Sequence, residues 1–205
     1  MNTKPQTGDI IPFGEYNWRV LDVQEDRALI ITENIIEQRA YHRECTYISW
    51  ETCDLREYLN GEFLSKFDSS RIVPQTIQNP NNPWCGTRGG NPTDDKIFLL
   101  SLDEIVKYFG DSGQLQNRPK NDGRYSWHTE EYAFEIDDKY NIERVSKYKN
   151  TTCWWWLRSP GKDSNYAAMV YAFGDTGAEG MRVNINVGGV RPALWLKLCG
   201  GNEKA

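Results

Sequence analysis

Apolar and polar residues alternate strictly over Arg182–Val187. Val183, Ile185 and Val187 fall on one side, and Arg182, Asn184 and Asn186 on the other. A period of two is the pattern of a half-buried strand. Ala167–Ala172 repeats it, with Ala168, Val170 and Ala172 on one face. Cys153–Arg158 and Val190–Leu196 are strand-length runs, and Gly188-Gly189 reads as a two-residue hairpin. Pro192 cannot donate to a ladder, so it belongs at an edge or a bulge. From residue 151 onward the pattern therefore predicts a β-meander. Near the N-terminus, Trp18–Val23 and Arg27–Thr32 predict a hairpin turning through Gln24-Glu25-Asp26.

Two segments carry the helical period instead. Leu55, Leu59 and Phe63, with Tyr58 beside them, predict a helix over Cys53–Leu64. Thr52 would cap it and Asp54 would suit its dipole, with an end near Asn60 because Gly61 follows. A strand at Lys96–Leu100 leads into Ser101-Leu102-Asp103-Glu104, a capping box in which Ser101 caps and Glu104 reaches back. Ile105, Val106 and Phe109 supply that helix's apolar face, and Gly110 ends it. Residues 1–8 read as a polar lead and 79–95, rich in Pro, Gly and Asn, as a loop. Residues 111–150 read as an insertion of loops and short elements, too poor in aliphatic side chains for a core of its own. The sum is α+β: two helices, a short-stranded antiparallel sheet and inserted loops, in one domain over 1–205.

Composition narrows the function classes. A chain of 205 residues can bury roughly 70% of its unfolded surface. Eight Trp and eleven Tyr favour both a large core and recognition surfaces. The net charge of −5, with no basic run, argues against a nucleic-acid partner. No apolar run approaches the roughly 20 residues that span a bilayer, so membrane insertion is not expected. The N-terminus shows no charged region followed by an apolar one. No signal peptide is expected, and the protein is made in the cytoplasm. Virion or surface association stays open. Five cysteines (45, 53, 85, 153 and 199) at irregular spacing predict reduced thiols.

Candidate chemistry is sparse. His42 and His128 are too far apart for a ligand pair, and no metal or other cofactor is expected. Gly-x-Ser-x-Gly is absent, and Cys153 between Thr152 and Trp154 reads as packing. The acidic pairs Asp94-Asp95, Glu130-Glu131 and Asp137-Asp138 read as solvated faces, the last being the best source for a calcium site. TRGGNP lacks the Gly-Lys-Ser/Thr of a phosphate loop. Trp154 and Trp156 should point one way and Trp155 the other, as in a strand buried on both faces or in an aromatic platform. Arg158 and Arg191 are expected to tie loops through paired hydrogen bonds, not to catalyse. No catalytic residue is assigned.

The run WWWLRSPG, then AAMV, then GVRPALWL resembles an uncharacterised domain family of bacterial and phage proteins ending in WWLRSPG and GVRPAL. FGEYNWRVLDV, WETCDLREYLNGEFL and DKIFLLSLDE also match, in order. The resemblance implies a C-type-lectin-like fold, as in the variable proteins of diversity-generating retroelements. In those systems an error-prone copy rewrites a C-terminal segment that is displayed for binding. The rewritten segment would lie within 162–187, over a scaffold of Gly174, Gly180, Val183 and Gly189–Leu194.

Residues expected to face outward are Met169, Tyr171, Arg182, Asn184 and Asn186. Asp163–Tyr166, Phe173, Asp175, Thr176, Ala178 and Glu179 would lie in loops. Substituting both adenines of an Asn codon cannot give Lys, Glu or Met, which disfavours Lys162, Met169, Glu179 and Met181. The implied ligand-binding set is Tyr166, Tyr171, Phe173, Asp175, Thr176, Arg182, Asn184 and Asn186, for an unknown protein or carbohydrate. Tyr with small polar residues suits such a surface. A non-diversified carbohydrate- or peptide-binding module of the same fold is the alternative. Formylglycine-generating oxidases share the wider fold, but Cys153 and Cys199 lack their late cysteine pairing.

Overall fold

The computed structural model describes residues 4–118 and 134–198. The N-terminal part holds β1 (Ile10–Phe13), β2 (Tyr16–Val23), β3 (Arg27–Thr32), β4 (Glu37–Gln38) and α1 (Asp54–Tyr58). The middle holds β5 (Ile72–Val73), β6 (Gln75–Ile77), β7 (Thr93–Asp95), β8 (Ile97–Phe98) and α2 (Leu102–Phe109). Then follow β9 (Glu135–Ile136), α3 (Asn141–Arg144), β10 (Lys147–Tyr148) and β11 (Thr151–Thr152). The C-terminal part holds β12 (Trp155–Pro160), β13 (Tyr166–Val170), β14 (Thr176–Arg182), β15 (Gly189–Val190) and β16 (Ala193–Lys197). The class is α+β, mostly sheet with few helices.

Two six-stranded sheets carry the fold. In the first the order is β1-β2-β3-β16-β5, with β8 also paired to β16. In the second it is β4-β15-β12-β13-β14-β9. The C-terminal β16 thus closes onto the N-terminal β3, through Ala193↔Ile31 to Lys197↔Arg27. One continuous apolar cluster joins residues of both sheets, α1 and α2, from Trp18 and Ile30 to Trp155, Trp156 and Leu194. The β2–β3 hairpin and the Ser101 capping box form as expected, with both box hydrogen bonds present.

Several elements depart from the pattern. The helix after residue 52 starts one position late: Trp50–Thr52 makes a tight 3-10 turn, so Cys53, not Thr52, is the cap, its Sγ accepting from the Arg56 N–H. Gly61 does not end it. A wide π turn over Leu59–Phe63 and a further 3-10 turn carry the coil to Lys66. The Asn60 side chain accepts from the Lys96 and Ile97 N–H groups and donates to the Ile97 carbonyl, which ties the widened turn to β8. The loop expected at 79–95 ends in β7, paired with β6.

The meander is the largest correction. The strand is Thr176–Arg182, while Val183–Gly188 is turn, because its backbone bonds go to a loop and not to a ladder. His42 N–H donates to the Val183 carbonyl at 2.9 Å, Arg39 N–H to Gly188 at 2.9 Å and the Gln38 side chain to Val187 at 3.0 Å. Nor do Gly188-Gly189 turn a hairpin. A Cβ at Gly188 would lie 2.1 Å from the Trp156 indole nitrogen, so the glycine is there for close approach. Gly189 lies in β15, which pairs in parallel with β12, so the sheet is not purely antiparallel. The run expected as Val190–Leu196 is two strands in two sheets, broken at Arg191-Pro192. Proline lacks the N–H a continuous ladder needs.

Within 111–150 the described part is indeed short elements, held by a buried arginine. Arg144 is fully buried and pairs with Asp138 at 3.1 Å. It donates to the Gly110 carbonyl, and its own carbonyl accepts from the Trp155 indole. Replacing Arg144 with Ala strands a buried Asp138 carboxylate. Urea unfolding should show a loss of about 3–5 kcal/mol, whereas Arg43→Ala, whose side chain is mostly in water, should leave the midpoint in place. Gly180 has φ +71°, and an added Cβ would lie 2.0 Å from the Ala167 carbonyl across the β13–β14 bulge. Gly180→Ala should therefore cost about 2–4 kcal/mol by the same measurement.

Candidate functional site

The β13–β14 hairpin spreads the sequence-selected residues over its two ends. Register pairs Tyr166 with Arg182 at one end and Val170 with Thr176 at the other, roughly 13 Å away along the strands. Tyr166 and Arg182 pair at the first end, and Asn184 and Asn186 follow in the turn that leads from it to Gly188. Tyr171, Phe173 and Asp175 collect at the second, in the turn that closes the hairpin. The eight residues therefore do not form one patch.

At the first end, side chains stand on a pinned backbone. The Arg182 guanidinium donates to the Tyr166 hydroxyl at 3.2 Å across the strand pair. Asn184 and Asn186 are exposed, while Val183 between Arg182 and Asn184 is fully buried. The expected in–out alternation survives in a turn up to Asn186 and fails at Val187, which is 49% exposed. Residues 42–48 join this surface, which sequence reasoning missed. Ile48 N–H donates to the Ser164 carbonyl, and the Asn165 side chain reaches Cys45 Sγ at 3.6 Å. Tyr47, 76% exposed, stands on that loop. Its only sequence signal was a large aromatic in a polar stretch.

The second end is acidic. Tyr171 N–H donates to the Asp175 carbonyl at 2.8 Å and closes the turn. The Tyr171 hydroxyl meets the Glu135 carboxylate of the neighbouring strand β9. Burial, then Glu135, Glu179 and Asp175, push the Tyr171 hydroxyl well above its usual range. Burial likewise raises Glu135, with Asp175, Glu179 and Asp137 adding repulsion against a lowering bond from Tyr171. Asp175 is raised by burial and by Asp137. Phe173 is 82% exposed.

Three expected surface residues are interior. Thr176 is fully buried as a β14 residue opposite Ile136 and Val170. Met169 and Ala178 are also buried, because the shifted strand boundaries turn them toward the core. The residues expected as scaffold, Gly174, Gly180, Val183 and Gly189–Leu194, are all buried.

The remaining candidates are structural. Trp154 and Trp156 lie edge to face at 4.7 Å, and all of β12 is buried, as a two-sided strand requires. Arg158 donates to the Leu99 and Gln78 carbonyls and pairs with Glu104. Arg191 donates to the Thr32 and Glu33 carbonyls. Cys53 is buried with its thiol pushed up to about 12 by that burial, the opposite of an activated nucleophile. His42 Nδ1 lies 2.9 Å from Asp54. Asp138 is held below its usual range although burial alone would raise it. Ser112, Arg144 and the Tyr140 N–H outweigh that burial, which leaves this carboxylate spent on the fold. Among the described residues no group of three or more His, Cys, Asp or Glu could hold a metal ion. His128, Glu130-Glu131 and Cys199 lie outside the described residues.

Two concavities lie elsewhere. One, of about 420 Å³, is walled by Pro83, Trp84 and Leu115 beside Asp103. The other, of about 240 Å³, lies between β6 and Tyr108, with Arg158 and Trp195 in its lining. None of the eight sequence-selected residues lines either. Among the described residues no helix is long and apolar enough to cross a membrane.

The acidic end yields a pH test. A carboxyl whose folded pKa is raised destabilises the fold at neutral pH, and the penalty fades as pH falls through that pKa. Glu135→Gln keeps an acceptor for Tyr171 and removes the charge. It should raise the melting temperature by about 1–2 °C at pH 7, with the gain shrinking toward about pH 4. Thermal melts across that range check the sign.

Comparison with known proteins bears on this surface only through the family. The model of a family described as a domain of unknown function (DUF6273) matches residues 25–198, from the start of the β2–β3 turn to the residue after β16. Neither the curated proteins nor the solved structures gave a match to the chain. The matched span holds every residue of both hairpin ends, and the chain belongs to the DUF6273 family.

Proposed function

We propose that this protein is a receptor-type binding protein with a C-type-lectin-like fold and no catalytic role. Its contact surface is the end of the β13–β14 hairpin that carries Tyr166, Arg182, Asn184 and Asn186, with Tyr47 beside them. One observation carries the reading. Exposed Arg182, Asn184 and Asn186, with half-buried Tyr166, stand on a backbone held by buried Val183 and half-buried Ile185, so the outer set can change while the support stays. Tyr and Arg are the side chains most able to anchor a partner, and Asn adapts to it.

In this reading residues 162–187 are a diversified segment, of the kind displayed by variable proteins of diversity-generating retroelements. The rewritable positions are the exposed ones only; Met169, Thr176 and Ala178 are support. A reverse-transcriptase gene near the coding sequence, with an adenine-substituted near-copy of its 3′ end, would mark diversification. Their absence would leave a fixed protein- or carbohydrate-binding module.

The surface itself can be tested on the protein. Combined replacement of Arg182, Asn184 and Asn186 with Ser should leave the melting temperature within about 2 °C, as exposed positions do. On a glycan array and a displayed-peptide screen, any ligand recovered with the parent chain should bind at least about tenfold more weakly to Arg182→Ala. A collapse of the fold in the combined variant would show that these residues are support and not display.

A further inference from the structure

The opposite end of the hairpin has a character of its own. Gly174 is pressed against Asn141: an added Cβ would lie 1.9 Å from the Asn141 carbonyl oxygen. That contact brings the neighbours of both residues, Phe173 and Ile142, to one edge. Phe173 is 82% and Ile142 73% exposed, two of the five large apolar side chains left in water among the described residues. Large apolar groups grouped at one edge are an unpartnered surface, unlike a scatter of single ones.

Carboxylates frame this edge. Glu135 pairs across the sheet with Gly177, and Asp137 follows it two residues on. The Asn141 side chain donates to Asp137 at 2.7 Å, which holds that carboxylate beside the 141–142 segment. Asp175 closes the turn that carries Phe173. Among the described residues no ion pair engages Glu135, Asp137 or Asp175. Nearby cations are committed elsewhere: Lys162 lies 3.6 Å from Glu179, Arg144 is buried against Asp138, and Lys139 lies over the Tyr140 ring. Burial raises the proton affinities of Glu135 and Asp175, and repulsion from the neighbouring carboxylates adds to it.

We propose that this edge, Phe173 and Ile142 framed by Glu135, Asp137 and Asp175, is a docking site for a basic segment of a partner protein. The segment would set an apolar side chain on Phe173 and Ile142 and place Arg or Lys among the carboxylates. A neutral sugar could cover the ring but would leave the carboxylate repulsion in place. A cation removes it, and desolvated charge pairs are where complementarity adds most. The site lies across the hairpin from the surface proposed above and does not depend on it.

Panning a phage-displayed random dodecapeptide library on the full chain tests this. A synthetic fluorescent copy of the most enriched peptide is then titrated by anisotropy. Enriched sequences should carry Arg or Lys next to an aromatic or aliphatic residue, and binding should weaken with added salt. Phe173→Ser and Asp175→Asn should each weaken binding at least about tenfold with no fall in the melting temperature, and Asn184→Ser at the other end should leave binding unchanged. No enrichment, enrichment without basic residues, or binding indifferent to Phe173→Ser would overturn the proposal. So would concentration-dependent self-association in sedimentation that Phe173→Ser abolishes, since the occupant would then be a second copy of this chain.

Discussion

Burying a polar group without a partner costs more than its bond returns, and strand β12 meets that constraint six residues in a row. All of Trp155–Pro160 is buried. The Trp155 indole donates to the Arg144 carbonyl and the Trp156 indole to the Arg39 carbonyl. Arg158 N–H donates to Leu100, and the Arg158 carbonyl accepts from the Tyr41 hydroxyl. Ser159 Oγ accepts from the N–H of Leu102, the first residue of α2. The Pro160 carbonyl accepts from Asn82, which also donates to Ala178. One interior strand thus collects bonds from four separate stretches of chain, around Arg39–Tyr41, Asn82, Leu100–Leu102 and Arg144.

The Tyr166–Arg182 end of the β13–β14 hairpin depends on that anchoring. Residues 39–48 are fixed below by Tyr41 and Arg39 on β12, and along their edge by bonds to Ser164, Val183 and Gly188. The segment 182–188 is held without a ladder, its Val183, Val187 and Gly188 carbonyls accepting from His42, Gln38 and Arg39. On the other side, Asn82 holds the 79–95 loop against β12 and β14 with both ends of its amide: two carbonyls accept from its nitrogen, and the Trp84 and Cys85 N–H groups donate to its oxygen. The exposed side chains of this end therefore stand on backbone tied to its neighbours on both sides.

Charge follows the same division between interior and edge. Inside, each cation has company. Arg144 has Asp138 and Arg158 has Glu104. Arg191 has carbonyls and the faces of Trp155 and Phe109, at 5.0 and 5.4 Å, and burial pulls it down to about 10. At the Tyr171–Asp175 turn, Glu135, Asp137 and Asp175 have neutral hydrogen-bond partners but no ion pair among the described residues. A fold that neutralises its buried charges and leaves one exposed edge unbalanced keeps its electrostatic attraction for something outside itself.

Local rules in the sequence determined the elements whose hydrogen bonds close within a few residues. The Ser101 capping box and the β2–β3 hairpin are legible for that reason, and so is the burial of the tryptophan run, which follows from side-chain volume and alternation. Tertiary structure alone decided whatever depends on a distant partner. Alternation at 182–187 describes which side chains face inward, but whether that backbone joins a sheet was settled by loop 38–42 taking its carbonyls. Gly188 looks like a turn residue until Trp156, far off in sequence, is packed against it. The separation of Tyr166 and Arg182 from Phe173 and Asp175 follows from strand boundaries that moved by several residues, and those moved because the ladder ends where long-range bonds end. Residues 42–48, Asn82 and Ile142 gave no local sign of their roles, since each acts through a contact made only when the chain has folded.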